Sequence, residues 1–399
     1  MNNKDVNLDE TDFSLVLGGP LYQFYLRTRL LKPPLNLVKR RIVAISLFAW
    51  LPLLILTLIG GVAFKGVSVP FFFDIETHVK FLGSLALLVA AEVIVHQRIK
   101  IIVSQFLKCN IISSKDRSRF DSIVASTIRL RNSITVELLL IVFVFTVGHW
   151  IWTQYTSLHV ATWYAIPING NKMQLTLAGY WYAFVSLPIF QLILLRWYFR
   201  LFVWYRFLWQ ISKLPLHLNA LHPDQAGGLG FLAQSVFAFA PVLIAYALLL
   251  AGFIANRIWY AGATLLEFKL EIAGLVVFLM IVVLLPLTFF IAALVQAKIA
   301  GLREYTIVAS QYVNDFRGKW IGTYSANPEE SQMLLGTPDI QSLSDLSNSF
   351  NVVRAMGVVP FSRGALLRLM ILILIPFSPL LLTMIPLEEI VGSLIKLLL

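Results

Sequence analysis

Long apolar runs alternate with polar, basic segments along most of the chain. Each run approaches the roughly 20 residues that an α-helix needs to cross a hydrocarbon core of about 30 Å. None shows the period-two alternation of a membrane β-barrel, so we expect helices. The pattern therefore predicts an all-α, polytopic transmembrane helix bundle of about seven spans, at residues 42–64, 79–96, 134–153, 177–196, 231–254, 272–296 and 365–386.

The last apolar run carries three prolines, Pro376, Pro379 and Pro386. Proline removes a backbone donor and crowds the preceding turn of a helix. Two interpretations follow: one spanning helix, or a re-entrant pair of half-helices. A spanning helix would place the carboxyl terminus on the side opposite the amino terminus.

The composition excludes a chain of soluble domains. Hydrophobic residues make up 58% of the chain and charged residues only 13%, whereas a soluble domain is roughly a quarter charged. The net charge of +11 comes from Lys and Arg concentrated in alternate loops, as the positive-inside rule requires. We therefore expect a cytoplasmic amino terminus and a carboxyl terminus on the opposite side of the membrane. The expected partners are the lipid bilayer and its cytoplasmic anionic lipids, with no nucleic acid.

The loops divide the chain into four regions. Residues 97–133 read as a pair of helices outside the membrane, and residues 297–322 and 340–356 repeat that plan. The predicted regions are a cytoplasmic amino-terminal segment (1–41), a first half with four spans (42–200), an interfacial helix with a Gly-rich loop (201–230), and a second half with three spans and the cytoplasmic helical region 297–363 (231–399).

A short pattern recurs in the two halves. Residues 49–54 and 238–243 both read Ala-x-x-Pro within an apolar run. Parallel repeats of this kind occur in transporters. The match indicates either an internal duplication or chance similarity between apolar segments.

Some ionisable residues fall well inside predicted spans, where charge is costly and is usually retained for function. Glu92 and His96 are four residues apart on one helix face, and Glu137 lies at similar depth in the third span. A carboxylate–imidazole pair facing a second carboxylate could relay protons or hold a cation, which predicts a permeation site. In the alternative interpretation these groups lie at the interface and pair with Arg98, Arg129 or Arg131.

The segment before the fifth span is rich in glycine and contains His222, Asp224, Gly227, Gly228 and Gly230. Free backbone N–H groups at such a helix start can bind an anion, so the sequence predicts an anion-binding or headgroup-binding loop. The alternative is a tight entry turn in which Asp224 caps the helix. Two ligands without a partner cluster predict no metal site.

A basic stripe follows the fourth span. Arg196, Arg200, Arg206 and Lys213 fall on one side of a helix whose aromatic residues lie mostly elsewhere. This pattern predicts an interfacial helix that grips lipid headgroups. The alternative is a cationic lining for the passage of anions.

The Gly-rich loop and the basic stripe together carry a resemblance. Residues 216–232, which include His222-Pro223-Asp224, and residues 192–204 resemble a family of bacterial multi-pass membrane proteins of about this length. The resemblance implies a bacterial inner-membrane location, with the carboxyl terminus then in the periplasm, and implies no activity. Further similar stretches are residues 13–20, 69–81, 129–133, 161–167, 254–263, 301–305 and 380–389.

No catalytic motif emerges from the sequence, which contains neither Gly-x-Ser-x-Gly nor His-Glu-x-x-His. The single Cys109 excludes an internal disulfide, and no cofactor is expected. The sequence favours a channel or transporter for a small ion or solute over an enzyme. The alternatives are a scaffold or sensor whose cytoplasmic helices bind a partner, and an intramembrane lipid-modifying enzyme with a cavity beside the loop. Assembly into a homo-oligomer stays open.

Overall fold

A computed structural model of the chain describes residues 13–30, 32–33, 35–152, 161–168, 172–321 and 338–384. Within these residues seven helices are long and apolar enough to cross a membrane, and each overlaps one predicted run. The predicted all-α transmembrane bundle is confirmed, and the chain is a multi-pass membrane protein. In chain order the helices are α1 (Pro20–Arg27), α2 (Val38–Ile59), α3 (Ile75–Lys108), α4 (Arg117–Arg131), α5 (Ile134–Ile151), α6 (Leu177–Ile211), α7 (Ala233–Ala238), α8 (Ala240–Ala261), α9 (Leu265–Trp320), α10 (Pro338–Ala355) and α11 (Arg363–Met384).

Several helices continue well past the apolar runs. Helix α9 has 56 residues, a length of about 84 Å that greatly exceeds the hydrocarbon core. Helix α10 packs against the carboxyl-terminal part of α9. There Tyr312 Oη donates to Asp339 O at 2.9 Å, and Lys319 Nζ lies 2.7 Å from Asp339 Oδ2. The far part of α9 and helix α10 therefore form an arm outside the spanning part of the bundle.

The proline-containing runs differ in local structure. Pro376 lies in a tight 3₁₀ turn inside α11, and the described part of this run is one helix from Arg363 to Met384. Pro386 lies outside the described residues. Pro52 is in the interior of α2, whereas Pro241 stands in the first turn of α8, after a break at Phe239. The two Ala-x-x-Pro segments therefore do not share a backbone conformation.

At one end of the bundle, a buried carboxylate joins three parts of the chain. Asp74, which caps the start of α3, accepts from Thr77 N–H and Oγ1, from Trp163 Nε1 at 2.8 Å and from Asn256 Nδ2 at 2.8 Å. Trp163 lies two residues before an antiparallel hairpin formed by β1 (Ala165–Ile168) and β2 (Lys172–Leu175). The hairpin, α3 and α8 are thus fixed together at this end, which we call the hairpin end.

The opposite end, where α2 begins at Val38 and α3 ends at Lys108, is called the basic end. Here Ile112 pairs with Leu216, and His217 N–H donates to Ile111 O at 2.8 Å. The amino-terminal residues also pack into the bundle, since Phe13 is fully buried with its ring 4.8 Å from that of Phe207.

Gly179, in the first turn of α6, gives a test of the packing at the hairpin end. A Cβ at this position would lie 1.9 Å from the backbone oxygen of Tyr164. Gly179→Ala should therefore lower the free energy of unfolding by about 2 kcal/mol, because the backbone must shift. Gly274→Ala in α9 is the matched control, since nothing lies within 4 Å of that Cβ. Detergent unfolding midpoints that are equal for the two variants would contradict this packing.

Candidate functional site

Five charged residues from four spanning helices lie together in the half of the bundle nearest the basic end. We call Arg41 (α2), Glu92 (α3), Glu137 (α5), Arg196 and Arg200 (α6) the arginine cluster. Glu92 accepts from Arg200 Nη2 at 2.7 Å through Oε1, and its Oε2 lies 2.9 Å from Arg41 Nη2. Glu137 Oε1 lies 3.3 Å from Arg196 Nε. All five side chains are no more than 12% exposed.

Local helix geometry explains how these residues meet. Arg196 and Arg200 are four residues apart, so both project from one face of α6. Glu137 lies in the first turn of α5, which begins at the capping residue Ser133. Its carboxylate also accepts from the N–H of Leu21, at 3.3 Å and 3.2 Å. Glu137 therefore links the cluster to the start of α1.

The amino-terminal segment contacts two further basic residues near the cluster. Ser14 Oγ lies 2.8 Å from His96 Nδ1, and Ser14 O accepts from Arg131 Nη1 at 2.5 Å. Arg131, at the end of α4, is partly buried, and this burial, reinforced by the charge of Arg200, lowers its pKa to about 10. Arg131 is therefore held at the edge of the cluster as an additional cation.

A small polar cavity lies beside the cluster. Its walls include Arg131, Glu137, Arg196 and Arg200, and its volume is 20 Å³, enough for about one water-sized group. One oxygen atom could therefore reach the guanidinium groups of this wall without displacing a helix.

The predicted site residues are only partly brought together. Glu92 and Glu137 are both in the cluster, whereas His96 contacts the amino-terminal segment. The alternative pairing with Arg98, Arg129 or Arg131 is wrong for both carboxylates, which pair with arginines of α2 and α6. Arg98 instead donates to Phe237 O. Because each carboxylate already faces guanidinium groups, this charge arrangement opposes the predicted cation site.

The predicted lipid-facing stripe is wrong for its first two members. Arg196 and Arg200 point into the bundle, since Glu92 and Glu137 on neighbouring helices compensate their charge. Arg206 donates to Ser126 Oγ at 3.0 Å, and only Lys213 is exposed, above the ring of Trp209. The stripe therefore turns from the interior towards the surface along α6.

Sequence reasoning missed Arg41 as a site residue. It follows Lys39 and Arg40 directly, so it reads as one more cytoplasmic charge before the first span. In the structure Arg41 is 0% exposed, whereas both of its basic neighbours lie nearer the surface. The sequence did contain one signal for it: two carboxylates in the predicted spans need buried cationic partners.

The Gly-rich loop is closed by its own carboxylate. Asp224 accepts from the N–H groups of Ala226, Gly228 and Gly230 at 2.8, 3.1 and 2.8 Å. The N–H groups predicted to bind an external anion are thus already engaged, which contradicts an anion-binding or headgroup-binding loop. Gly227 and Gly228 adopt φ values of +63° and +95° that favour glycine. The loop is therefore the tight turn of the alternative interpretation.

The loop also shows a short contact between His222 Nδ1 and Asp224 Oδ1, at 2.8 Å. Partial burial alone would raise the pKa of Asp224, but the three backbone N–H groups and His222 hold it below its ordinary value. No group of three or more His, Cys, Asp or Glu residues suited to a metal ion occurs in the described residues.

Arg41 distinguishes the arginine cluster from a fully compensated ion network. Within the described part of the chain, none of its guanidinium nitrogens has a hydrogen-bond partner of good geometry, although Nη2 lies close to Glu92. Three guanidinium groups face two carboxylates in the cluster, and Arg131 adds a further positive charge at its edge. An added anion could accept the unpaired donors and offset the excess charge.

No protein-family model, curated protein or solved structure matches this chain. The resemblance of residues 192–204 and 216–232 to a bacterial membrane family therefore stays a prediction. What the fold defines is an integral membrane protein with seven membrane-compatible helices. The particular role of this bundle rests on the geometry of its own charged residues.

Proposed function

We propose that the protein is a transporter or channel for a small solute that carries an anionic group, and that the arginine cluster binds this group. The observation that carries the proposal is Arg41, a fully buried guanidinium with unpartnered donors among the described residues. Burying a charge is costly unless its partners are supplied. A bound oxyanion would supply them, because carboxylates and phosphates match the planar donor array of arginine.

The proposed location is a bacterial inner membrane with the basic end in the cytoplasm. This orientation follows the excess of Lys and Arg in the segments at that end. It places the arginine cluster within the membrane but nearer the cytoplasmic side. A solute entering from the cytoplasm would then meet the cluster soon after leaving water.

Anion flux through reconstituted liposomes tests this function. Liposomes containing the protein should release phosphate, acetate or chloride faster than protein-free liposomes. Arg41→Gln should lower the rate of anion flux by about tenfold to a hundredfold. This is the effect expected from the loss of one charge-assisted hydrogen bond. Arg206→Gln is the matched control, because Arg206 lies on α6 outside the cluster.

Two results of the flux experiment would contradict the proposal. One is selective flux of Na⁺ or K⁺ that Arg41→Gln leaves unchanged. The other is the absence of both flux and binding for every anion in the panel, with the protein shown to be folded by its unfolding midpoint.

A scaffold is the second candidate, and the arm formed by α9 and α10 favours it. Ile307, Val308, Val313 and Ile340 are each between 45% and 55% exposed on this arm. Apolar side chains exposed outside a membrane often mark contact surfaces. A protein that carries no anion flux, yet forms one stoichiometric photo-crosslink from position 308 in native membranes, would support this role instead.

A further inference from the structure

An apolar groove of 380 Å³ opens beside the arginine cluster, between α1, α2 and α6. Its walls are almost wholly apolar and include Leu21, Tyr25, Ala44 and Ile193. The ring of Phe48 lines the groove and is 55% exposed, so the groove opens on the outer surface of the bundle. In a spanning segment this surface faces lipid, and the volume is within the range of ligand sites in proteins.

The groove and the cluster share a wall. Tyr25 lines the groove, and its buried ring lies 5.6 Å from Arg41 Cζ. Leu21 also lines the groove, while its N–H donates to Glu137. Ile193 is one helical turn before Arg196 on α6. Arg41 itself is fully buried and is not a wall residue of the groove, so a polar head whose apolar part lies in the groove would reach Arg41 past the Tyr25 ring.

We infer that the solute of this site is an anionic amphiphile with one alkyl chain, whose oxyanion head binds the arginine cluster while its chain lies in the groove. The inference rests on the proposed function, because it names the class of solute for the same cluster. Charge complementarity favours an anionic head, because the cluster has more guanidinium groups than carboxylates. Arg41 also has N–H donors without an acceptor among the described residues. The apolar walls of the groove favour an alkyl chain.

Chain-length dependence of binding tests the inference. Acetate, octanoate and octylammonium are titrated against the purified full-length protein in amphipol. Octanoate should bind more than about tenfold tighter than acetate, because each methylene that leaves water contributes about fourfold. Octylammonium should bind at least about tenfold more weakly than octanoate, because its head meets like charge.

Substitutions in the groove distinguish the contribution of the alkyl chain to binding from that of the anionic head. Ala44→Trp should fill the groove and reduce octanoate affinity to that of acetate, while acetate affinity stays unchanged. Val43→Trp is the matched control on the same helix, since Val43 is 54% exposed and is not a wall residue of the groove. Arg41→Gln should weaken both anions. Ile45→Trp should fill the groove from the adjacent position. Its octanoate affinity serves as the test if Ala44→Trp does not fold.

The outcomes distinguish the two proposals. Equal affinity for acetate and octanoate, or octanoate affinity unaffected by Ala44→Trp and Ile45→Trp, overturns the inference and leaves the proposed function standing. Octylammonium that binds as tightly as octanoate also overturns it, because the head is then not recognised by charge. The absence of anion binding in the folded wild-type protein overturns both. Octyl phosphate and octanoate, compared directly, show which oxyanion is preferred, and a clear gain over acetate for either one supports the inference.

Discussion

Glu92→Gln is expected to lower the free energy of unfolding by about 3–5 kcal/mol, because it removes the carboxylate shared by two buried guanidinium groups. Arg200 and Arg41 both contact Glu92, at 2.7 Å and 2.9 Å, and neither is more than 5% exposed at its side chain. Glutamine keeps the size of the side chain but not its charge. The variant would leave three arginines with Glu137 as the only carboxylate of the cluster.

Removing Arg41 as well should partly reverse this loss. Arg41→Gln alone takes away the least well-paired charge of the cluster, so its effect on stability should be much smaller than that of Glu92→Gln. In the double variant Arg200 is the one guanidinium that has lost Glu92. A double-mutant cycle should therefore show that the two changes are not additive.

The measurement is reversible unfolding of detergent-solubilised protein by a denaturing detergent. Glu304→Gln is the control, since Glu304 is an exposed carboxylate on the arm helix α9. Its effect should stay within about 0.5 kcal/mol. If Glu92→Gln behaved like Glu304→Gln, the cluster would not be the tightly coupled ion network that its distances indicate.

Asp224→Ala is expected to lower the free energy of unfolding by about 3 kcal/mol, since it leaves three backbone donors of a packed loop without their acceptor. Ala226, Gly228 and Gly230 all donate to this one carboxylate. The loop is also in contact with other parts of the basic end, because Gln225 O accepts from Gly357 N–H at 2.7 Å. Loss of the turn should therefore also weaken the contact between the loop and the segment that contains Gly357.

The same residue predicts a pH dependence of known sign. Its pKa is lower in the folded protein than in the unfolded chain, so its stabilising effect is complete above the ordinary aspartate value of about 4. This stabilisation is lost as the pH falls through the lowered pKa of the folded state. The difference in stability between wild type and Asp224→Ala should therefore narrow below pH of about 4.

Asp121→Ala is the control for both measurements on Asp224. Asp121 pairs with Arg117 at 3.6 Å on the surface of α4, with 47% of its side chain exposed, so its removal should cost at most about 1 kcal/mol. A stability difference for Asp224→Ala that is small, or that widens in acid, would contradict the role assigned to this carboxylate.

The spans could be predicted from sequence because hydropathy is a local property. Each apolar run is long enough by itself to define a helix, and the turn before α4 is set by neighbouring polar residues such as Ser113. Hydropathy alone ends these spans early, whereas α3 and α6 continue through the charged segments that the helical spacing of residues 97–133 and the basic stripe predict. Protein contacts accommodate some of those charges, since Arg98 donates to Phe237 O and Arg206 donates to Ser126 Oγ.

The ion pairs could not be predicted because they join distant positions. Glu92 and Arg200 are 108 residues apart in the chain, and nothing in either segment identifies the other as a partner. The burial of Phe13 and its neighbours was missed for the same reason, since an acidic, polar amino terminus gives no sign of a docking surface. In the loop, Asp224 was recognised as a capping residue, but its occupation of all three N–H groups depends on the exact φ angles of the glycines.

Helix α9 has a mechanical consequence. A tight 3₁₀ turn at Leu285–Phe290, which contains Pro286, precedes an unbroken α-helix from Ile291 to Trp320. That 30-residue segment is about 45 Å long, so it would act as a lever if it turned about the proline-containing turn. A rotation of about 10° at the proline turn would displace its far end by about 8 Å. The arm would thus magnify small rearrangements among the spans into movements comparable with the width of a helix.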